Sequence, residues 1–186
     1  MEKKDAINER LSKYELSYDM LKDNTVDGID LSDIDLSGID FGYVTFNHVN
    51  FANSNLMDVN FRNSSMNYAN FTNANLEGAY FYSAKIKSSD FSNASFERTC
   101  FRYAEISDVN LSNLNLTCID FTGAKLTNVN LRESVLDFAN FTDCRICLVD
   151  MSFCCVSQAA FYRAEIEQVN FRGTNIKDVE GGILTN

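Results

Sequence analysis

Residues 69–78 read Ala69-Asn70-Phe71-Thr72-Asn73-Ala74-Asn75-Leu76-Glu77-Gly78, one five-residue pattern written twice. Each half has a large apolar centre, Phe71 or Leu76, with a small residue two positions before it. Working outward, the same spacing holds from Leu31 to Ile176, thirty consecutive centres without a slip. An α-helix turns about 100° per residue, so a five-residue repeat would carry its apolar stripe about 140° around the axis per unit. A flat strand needs strict alternation, whereas here the apolar gaps are two and then three. Hairpins are disfavoured because the chain has no proline and no Asn-Gly pair. The remaining solution is a chain that bends once per unit, a solenoid.

The number of units per coil follows from what stacks on what. Every twentieth residue from Phe41 gives Phe61, Phe81, Phe101, Phe121, Phe141 and Phe161, a column of phenylalanine alone. The column from Met66 runs Ile86, Ile106, Leu126, Ile146, Ile166, with no aromatic residue. A third column holds only Asp and Asn: Asp30, Asn50, Asn70, Asp90, Asn110, Asn130, Asp150 and Asn170. A fifteen-residue coil would stack Phe41, Leu56, Phe71 and Ile86, which sorts nothing. Four units per coil therefore fit, with the short polar side chains pinning corners by hydrogen bonds to backbone.

Units such as Ala69-Asn70-Phe71-Thr72-Asn73 and Ala139-Asn140-Phe141-Thr142-Asp143 resemble the pentapeptide-repeat family, and the resemblance covers about four-fifths of the chain. It implies an all-β solenoid, a right-handed quadrilateral β-helix with four repeats per coil. Thirty units make about 7.5 coils, roughly 36 Å of rod. The expected organisation is an N-terminal amphipathic helix and linker at 1–28, the β-helix at 29–178 and a tail at 179–186. Ile7, Leu11, Tyr14, Tyr18 and Leu21 set the helical face, Asp5 is its N-cap, and its expected role is a lid over the first coil. A docking or delivery signal is the other reading of that segment.

The net charge is −10 and the pI near 4.5, which disfavours direct nucleic-acid or anionic-membrane binding. No run of eighteen apolar residues occurs and no signal-peptide core follows Met1, so the expectation is a cytoplasmic protein, with secretion as an effector left open. Six cysteines raise a zinc reading. The register argues against it, because Cys144 and Cys154 fall at inward positions and Cys147 and Cys155 at outward ones. His48 falls at an outward position with Tyr68 beside it and no acid near it in the register. No phosphate loop or nucleophile elbow is present, and the interior is filled by Phe and Leu. The chain is read as a non-enzyme without a cofactor or metal.

Three surfaces are candidates for binding. Asp27, Asp30, Asp33, Asp35 and Asp40 concentrate acid in the first coil, with no lysine or arginine between Lys22 and Arg62. The side centred on the phenylalanine column displays Tyr43, Arg62, Tyr82, Arg102, Tyr103, Tyr162 and Arg163, residue types enriched at binding hot spots. The opposite balance, Asp58, Glu77, Glu97, Asp137 and Asp178 against Arg98 and Lys177, lies on the side centred on Leu56. At the C-terminal end Val179, Ile183 and Leu184 are the apolar residues available for a homodimer. The leading expectation is a rigid module that binds a protein partner. The family resemblance implies a sharper alternative, a DNA mimic that occupies DNA gyrase or topoisomerase IV and protects it from quinolones or peptide toxins. A bacterial effector or regulatory scaffold is the third.

Overall fold

The computed structural model describes residues 25–182, and all of them belong to one square tube of parallel β-structure. Of the N-terminal helix and linker expected at 1–28, residues 1–24 lie outside the described residues, as do Ile183 and Leu184, while Thr25–Asp27 form a strand of the tube where linker was expected. Eight three-residue strands form one wall in chain order. They are β1 (Thr25–Asp27), β2 (Thr45–Asn47), β3 (Ser65–Asn67), β4 (Lys85–Lys87), β5 (Glu105–Ser107), β6 (Lys125–Thr127), β7 (Arg145–Cys147) and β8 (Glu165–Glu167). Each pairs with the next at an offset of twenty residues, as in Val26↔Phe46 and Ile146↔Ile166. Bridges on the other three walls keep the same offset, for example Asp30↔Asn50, Asp35↔Asn55 and Asp40↔Asn60. Four units per coil is therefore the observed geometry. β1 adds a unit ahead of Leu31. In sequence its centre, Val26, follows Asn24 rather than a small apolar residue, so the paired pattern is absent there.

The strand wall is the one whose centres carry no aromatic residue after Phe46, and its Met, Ile and Leu column suits extended backbone. The other walls close with tight turns, such as Val44 N–H donating to Phe41 O at 3.3 Å and Ala124 N–H to Phe121 O at 2.7 Å. In these units as far as Phe171 the second residue after the centre is left-handed, and among non-glycines along the tube φ there lies between 50 and 68°. On the wall centred on Leu31 a hydroxyl from the next coil enters some turns. Ser54 Oγ donates to Leu31 O (2.6 Å) and accepts from Ile34 N–H (3.3 Å). Ser134 does the same for Leu111 and Leu114. A buried hydroxyl is thereby satisfied on both counts.

Inside the tube the phenylalanine column stacks continuously, with centroid spacings from 5.6 Å (Phe41–Phe61) to 4.7 Å (Phe81–Phe101). A second column, Phe51–Phe71–Phe91, stacks at 5.0 and 4.7 Å and meets the first edge-on. These rings are fully buried, so each contributes burial of the order of 1.5–3 kcal/mol before chain entropy is counted. The final coil differs: Ala164, Ile166, Val169, Phe171 and Val179 point inward yet remain only half-buried.

The corner Asp and Asn residues do two things. Asp30 Oδ1 accepts from Ser32 N–H (3.0 Å) and from Asn50 Nδ2 of the next coil (2.8 Å). Asp35 and Asp40 repeat this with Asn55 and Asn60. An amide donates toward the N-terminal neighbour, so the first rung needs only an acceptor and carboxylates suit it. Changing Asp30→Asn is expected to leave stability within about 0.5 kcal/mol. Asn50→Asp removes the donor and opposes two carboxylates, and is expected to cost about 1–2 kcal/mol in urea unfolding. Equal effects of the two changes would contradict this directional ladder.

Candidate interaction surfaces

The residues expected on the arginine–tyrosine side do share one wall, but the fold sorts them into separate clusters. Arg62 Nη2 donates to Tyr43 Oη at 2.6 Å, and its guanidinium lies 5.4 Å from that ring's centroid. The tyrosine hydroxyl holds the Arg62 pKa above its ordinary value. Starting in the coil after Arg62, Tyr80, Tyr82 and Tyr103 form a chain of ring contacts at 5.8 and 5.3 Å, and Arg102 sits 5.9 Å from Tyr103. Tyr80 was not singled out in the sequence, because it occupies a corner position usually held by Asp or Asn. Arg102 also faces Asp120 at 3.8 Å, which raises its pKa. Arg163 and Tyr162 are separate from both groups. Arg163 forms a two-pronged pair with Asp143 at 2.6 and 2.7 Å, which keeps the Asp143 carboxyl below the usual range. Tyr162 Oη lies 3.3 Å from Glu180.

The five acidic residues of the first coil are not one patch. They ring the tube across its four walls, and each is tied to the coil above. Asp27 approaches His48 Nδ1 at 3.3 Å, which corrects the expectation that no acid lies near this histidine. The register places position 27 diagonally beneath 48, one coil earlier, a neighbour that column reading misses. His48 also stacks on Tyr68 at 5.1 Å with ring planes 4° apart. Val179 lies half-buried against the last coil.

The cysteines fall as the register required. Cys144 and Cys154 are buried, donating to Phe121 O and Leu131 O. Burial pushes their thiols up to about 12 and about 11. Cys118 and Cys155 are exposed. Among the described residues no group of three or more His, Cys, Asp or Glu is placed to hold a metal ion, and no helix is long and apolar enough to cross a membrane.

Sequence reasoning missed the apolar corners. Phe138, Leu148 and Phe153 occupy left-handed positions with φ of 61, 57 and 59° and are 53, 50 and 44% exposed. A bulky side chain in that conformation costs about 1–2 kcal/mol relative to the ordinary helical region. The legible signal was Phe or Leu at a position held more often by Asn, Asp, Ser or Gly and otherwise by polar or tyrosine side chains and one cysteine. Large corner residues also lean toward the next coil. A Cβ at Gly123 would lie 2.5 Å from the Tyr103 ring, and one at Gly173 would lie 2.5 Å from Phe153.

Gly123→Ala is therefore expected to lose the left-handed backbone preference, about 1–2 kcal/mol, and to displace Tyr103 as well. Gly38→Ala has the same φ of 68° and nothing within 4 Å of its Cβ, so it reports the backbone cost alone. Urea unfolding should rank Gly123→Ala as the more damaging. Adding Tyr103→Ala should bring the two to equal loss when each is compared with its own parent.

A family model described as a pentapeptide repeat region matches residues 24–91 and 70–141. Among solved structures, a trypsin-treated variant of QnrB1, a plasmid-mediated fluoroquinolone resistance protein, superposes with a TM-score of 0.65 at 15% identity over 81% of each chain. HetL, a pentapeptide repeat protein involved in heterocyst differentiation regulation from the cyanobacterium Nostoc sp. strain PCC 7120, is 20% identical over 86% of this chain and 88% of its own, with a TM-score of 0.44. Rfr23, from the cyanobacterium Cyanothece 51142, is 16% identical over 92 and 97% of the two chains, with a TM-score of 0.31. At these identities the likeness concerns the fold alone. No curated protein sequence matches the chain.

Proposed function

The chain belongs to the pentapeptide-repeat family, and from that premise we propose that it is a non-catalytic, rigid module that holds a protein partner against the arginine–tyrosine side of its tube. The observation that carries this reading is the Tyr80–Tyr82–Tyr103–Arg102 cluster, exposed at Tyr80, Arg102 and Tyr103 yet already ordered by ring contacts. Aromatic and arginine side chains fixed before encounter lose little entropy on binding, the property that makes such residues hot spots. Affinity capture from the native cell is the test. Wild-type protein is expected to retain a partner that the Tyr82→Ala, Tyr103→Ala double variant loses at least about tenfold. Equal retention by both rejects this side as the docking surface.

A second reading is favoured by the acid that follows the tube along one wall: Asp58, Glu77, Glu97, Asp137 and Asp178. In this reading the protein imitates DNA and occupies a type II topoisomerase, with two rods joined through the C-terminal coil around Val179, Ile183 and Leu184. The half-buried Phe171 and Ile166 support such a joint. Gyrase supercoiling is expected to be inhibited, or rescued from a quinolone, at micromolar protein. No effect in either arm rejects mimicry and leaves the first reading standing.

A further inference from the structure

One junction near the middle of the tube is not closed. Between the coil centred on Phe91, Phe96, Phe101 and Ile106 and the coil that follows, a contiguous set of backbone bonds is absent. The N–H groups of Phe91, Asn93, Phe96 and Arg98 meet no carbonyl of the next coil, and those of Asn110, Asn115 and Asp120 meet none of the previous one. One coil earlier the same positions are bonded, as Phe71 N–H to Asp90 O (2.7 Å) and Leu76 N–H to Ser95 O (2.9 Å). The gap is graded around the tube. Bridges persist at Asp90↔Asn110 and Cys100↔Asp120, and none forms between Ser95 and Asn115. At the diagonally opposite corner Lys125 N–H still donates to Ala104 O at 2.8 Å and Tyr103 N–H to Thr122 O at 2.9 Å. The side-chain ladder stops as well: Asn53 donates to Asp33 and Asn73 to Asn53, but neither Asn93 nor Asn113 continues it.

The sequence places a wedge at this level. Phe96 stands in a column that is otherwise aliphatic, with Leu76 before it and Leu116 after it. Leu114 stands where the coils on either side hold Ala74, Ala94, Ser134 and Cys154. The two oversized side chains flank the Ser95–Asn115 corner, where the gap is widest. A close-packed interior has no spare volume there, so the coils part at that corner and stay joined at the opposite one. Ala94 and Leu114 are accordingly 7 and 6% exposed, against 1% for Ala74 and Ser134. Phe96 lies tilted against Phe91 and Phe101, at 5.8 and 6.1 Å, rather than in a stack.

We infer that this junction is a hinge: the tube is two rigid half-rods, 25–108 and 109–182, that pivot about the Tyr103–Gly123 corner while the walls centred on Phe91 and Phe96 open and close. Each coil of a solenoid is held by its neighbours alone, so a junction with half of its bonds unmade is where bending meets least resistance. The N–H and C=O groups that face the gap are paired by water when it is open. Opening lengthens the walls that carry Asp90 and Glu97 and leaves the arginine–tyrosine wall at constant length. In a module that docks through that wall, the hinge sets the angle at which the C-terminal half meets the same partner. Tyr80, Tyr82, Arg102 and Tyr103 all belong to the N-terminal half, so the docking reading stands whether or not the hinge moves.

Residual dipolar couplings of the full-length, isotope-labelled protein test the hinge. Fitted separately, residues 25–107 and 111–170 should give alignment tensors of different magnitude, because two bodies that pivot are not averaged alike. A single tensor that fits both halves overturns the proposal. Amides of Phe91, Phe96, Arg98 and Asn115 should exchange at least about a hundredfold faster than those of Phe71, Leu76, Gly78 and Ser95, and equal protection overturns it too. Phe96→Leu combined with Leu114→Ala removes the wedge by restoring what adjacent coils hold. That variant should melt no lower than wild type, bring both halves to one tensor and slow exchange at the junction at least about tenfold. A lower melting temperature would show that the two side chains fill the core rather than part it, and unchanged exchange would show that they do not cause the gap; either result overturns the proposal. Partner capture through Tyr82 and Tyr103 is read independently of all three measurements.

Discussion

The walls of the tube hydrogen-bond from coil to coil in a register of twenty residues, interrupted on the Leu56-centred wall between Ser95 and Asn115 and shifted at Gln158 in the last coil, and the rest of the structure depends on that constraint. Because the offset is kept along the strand wall, a side chain there meets the residue twenty positions away, and no local shift can be absorbed by a neighbouring loop. A slip of one unit would move each column onto the next wall, setting Phe41 over Met66 rather than over Phe61. The stacked phenylalanines favour the correct register in the interior, and the corner amides favour it outside.

The stack also has a direction. Amides donate toward the N-terminus, so a carboxylate belongs on the first rung and interrupts any later one. Asp90 illustrates the interruption. It has no amide for Asn70, and the Thr72 hydroxyl donates to Asn70 Oδ1 instead, at 2.6 Å. The acidic ring of the first coil is thus explained by hydrogen bonding before any docking role is invoked. The two ends differ in burial as well. Leu31 and Leu36 in the first coil are fully covered, whereas the inward residues of the last coil are not.

The same stacking rule organises the surface. A corner residue leans on its counterpart one coil further along, and the pairs found there are chemically matched: His48 on Tyr68, Tyr103 over Gly123, Asp143 with Arg163, Phe153 over Gly173. Matching of this kind stabilises the tube and requires no partner. Phe138 and Leu148, whose counterparts are Gln158 and Gln168, lack such a match, and they are more than half or half exposed.

From the amino-acid order alone came the solenoid, its four walls, the inward and outward sorting of Cys144, Cys147, Cys154 and Cys155, and the corner role of Asp and Asn. All of these follow from periodicity, because a repeated chain in register makes each residue's environment a function of its number. The left-handed corners, the hydroxyls that enter turns, and the diagonal neighbours did not follow. Asp27 reaches His48 across a coil boundary, and Tyr80 joins Tyr82 from a corner, because side chains extend beyond their own column. Only the folded tube decides which outward residues touch, since lateral contact depends on side-chain length and direction, and neither is contained in a spacing of five.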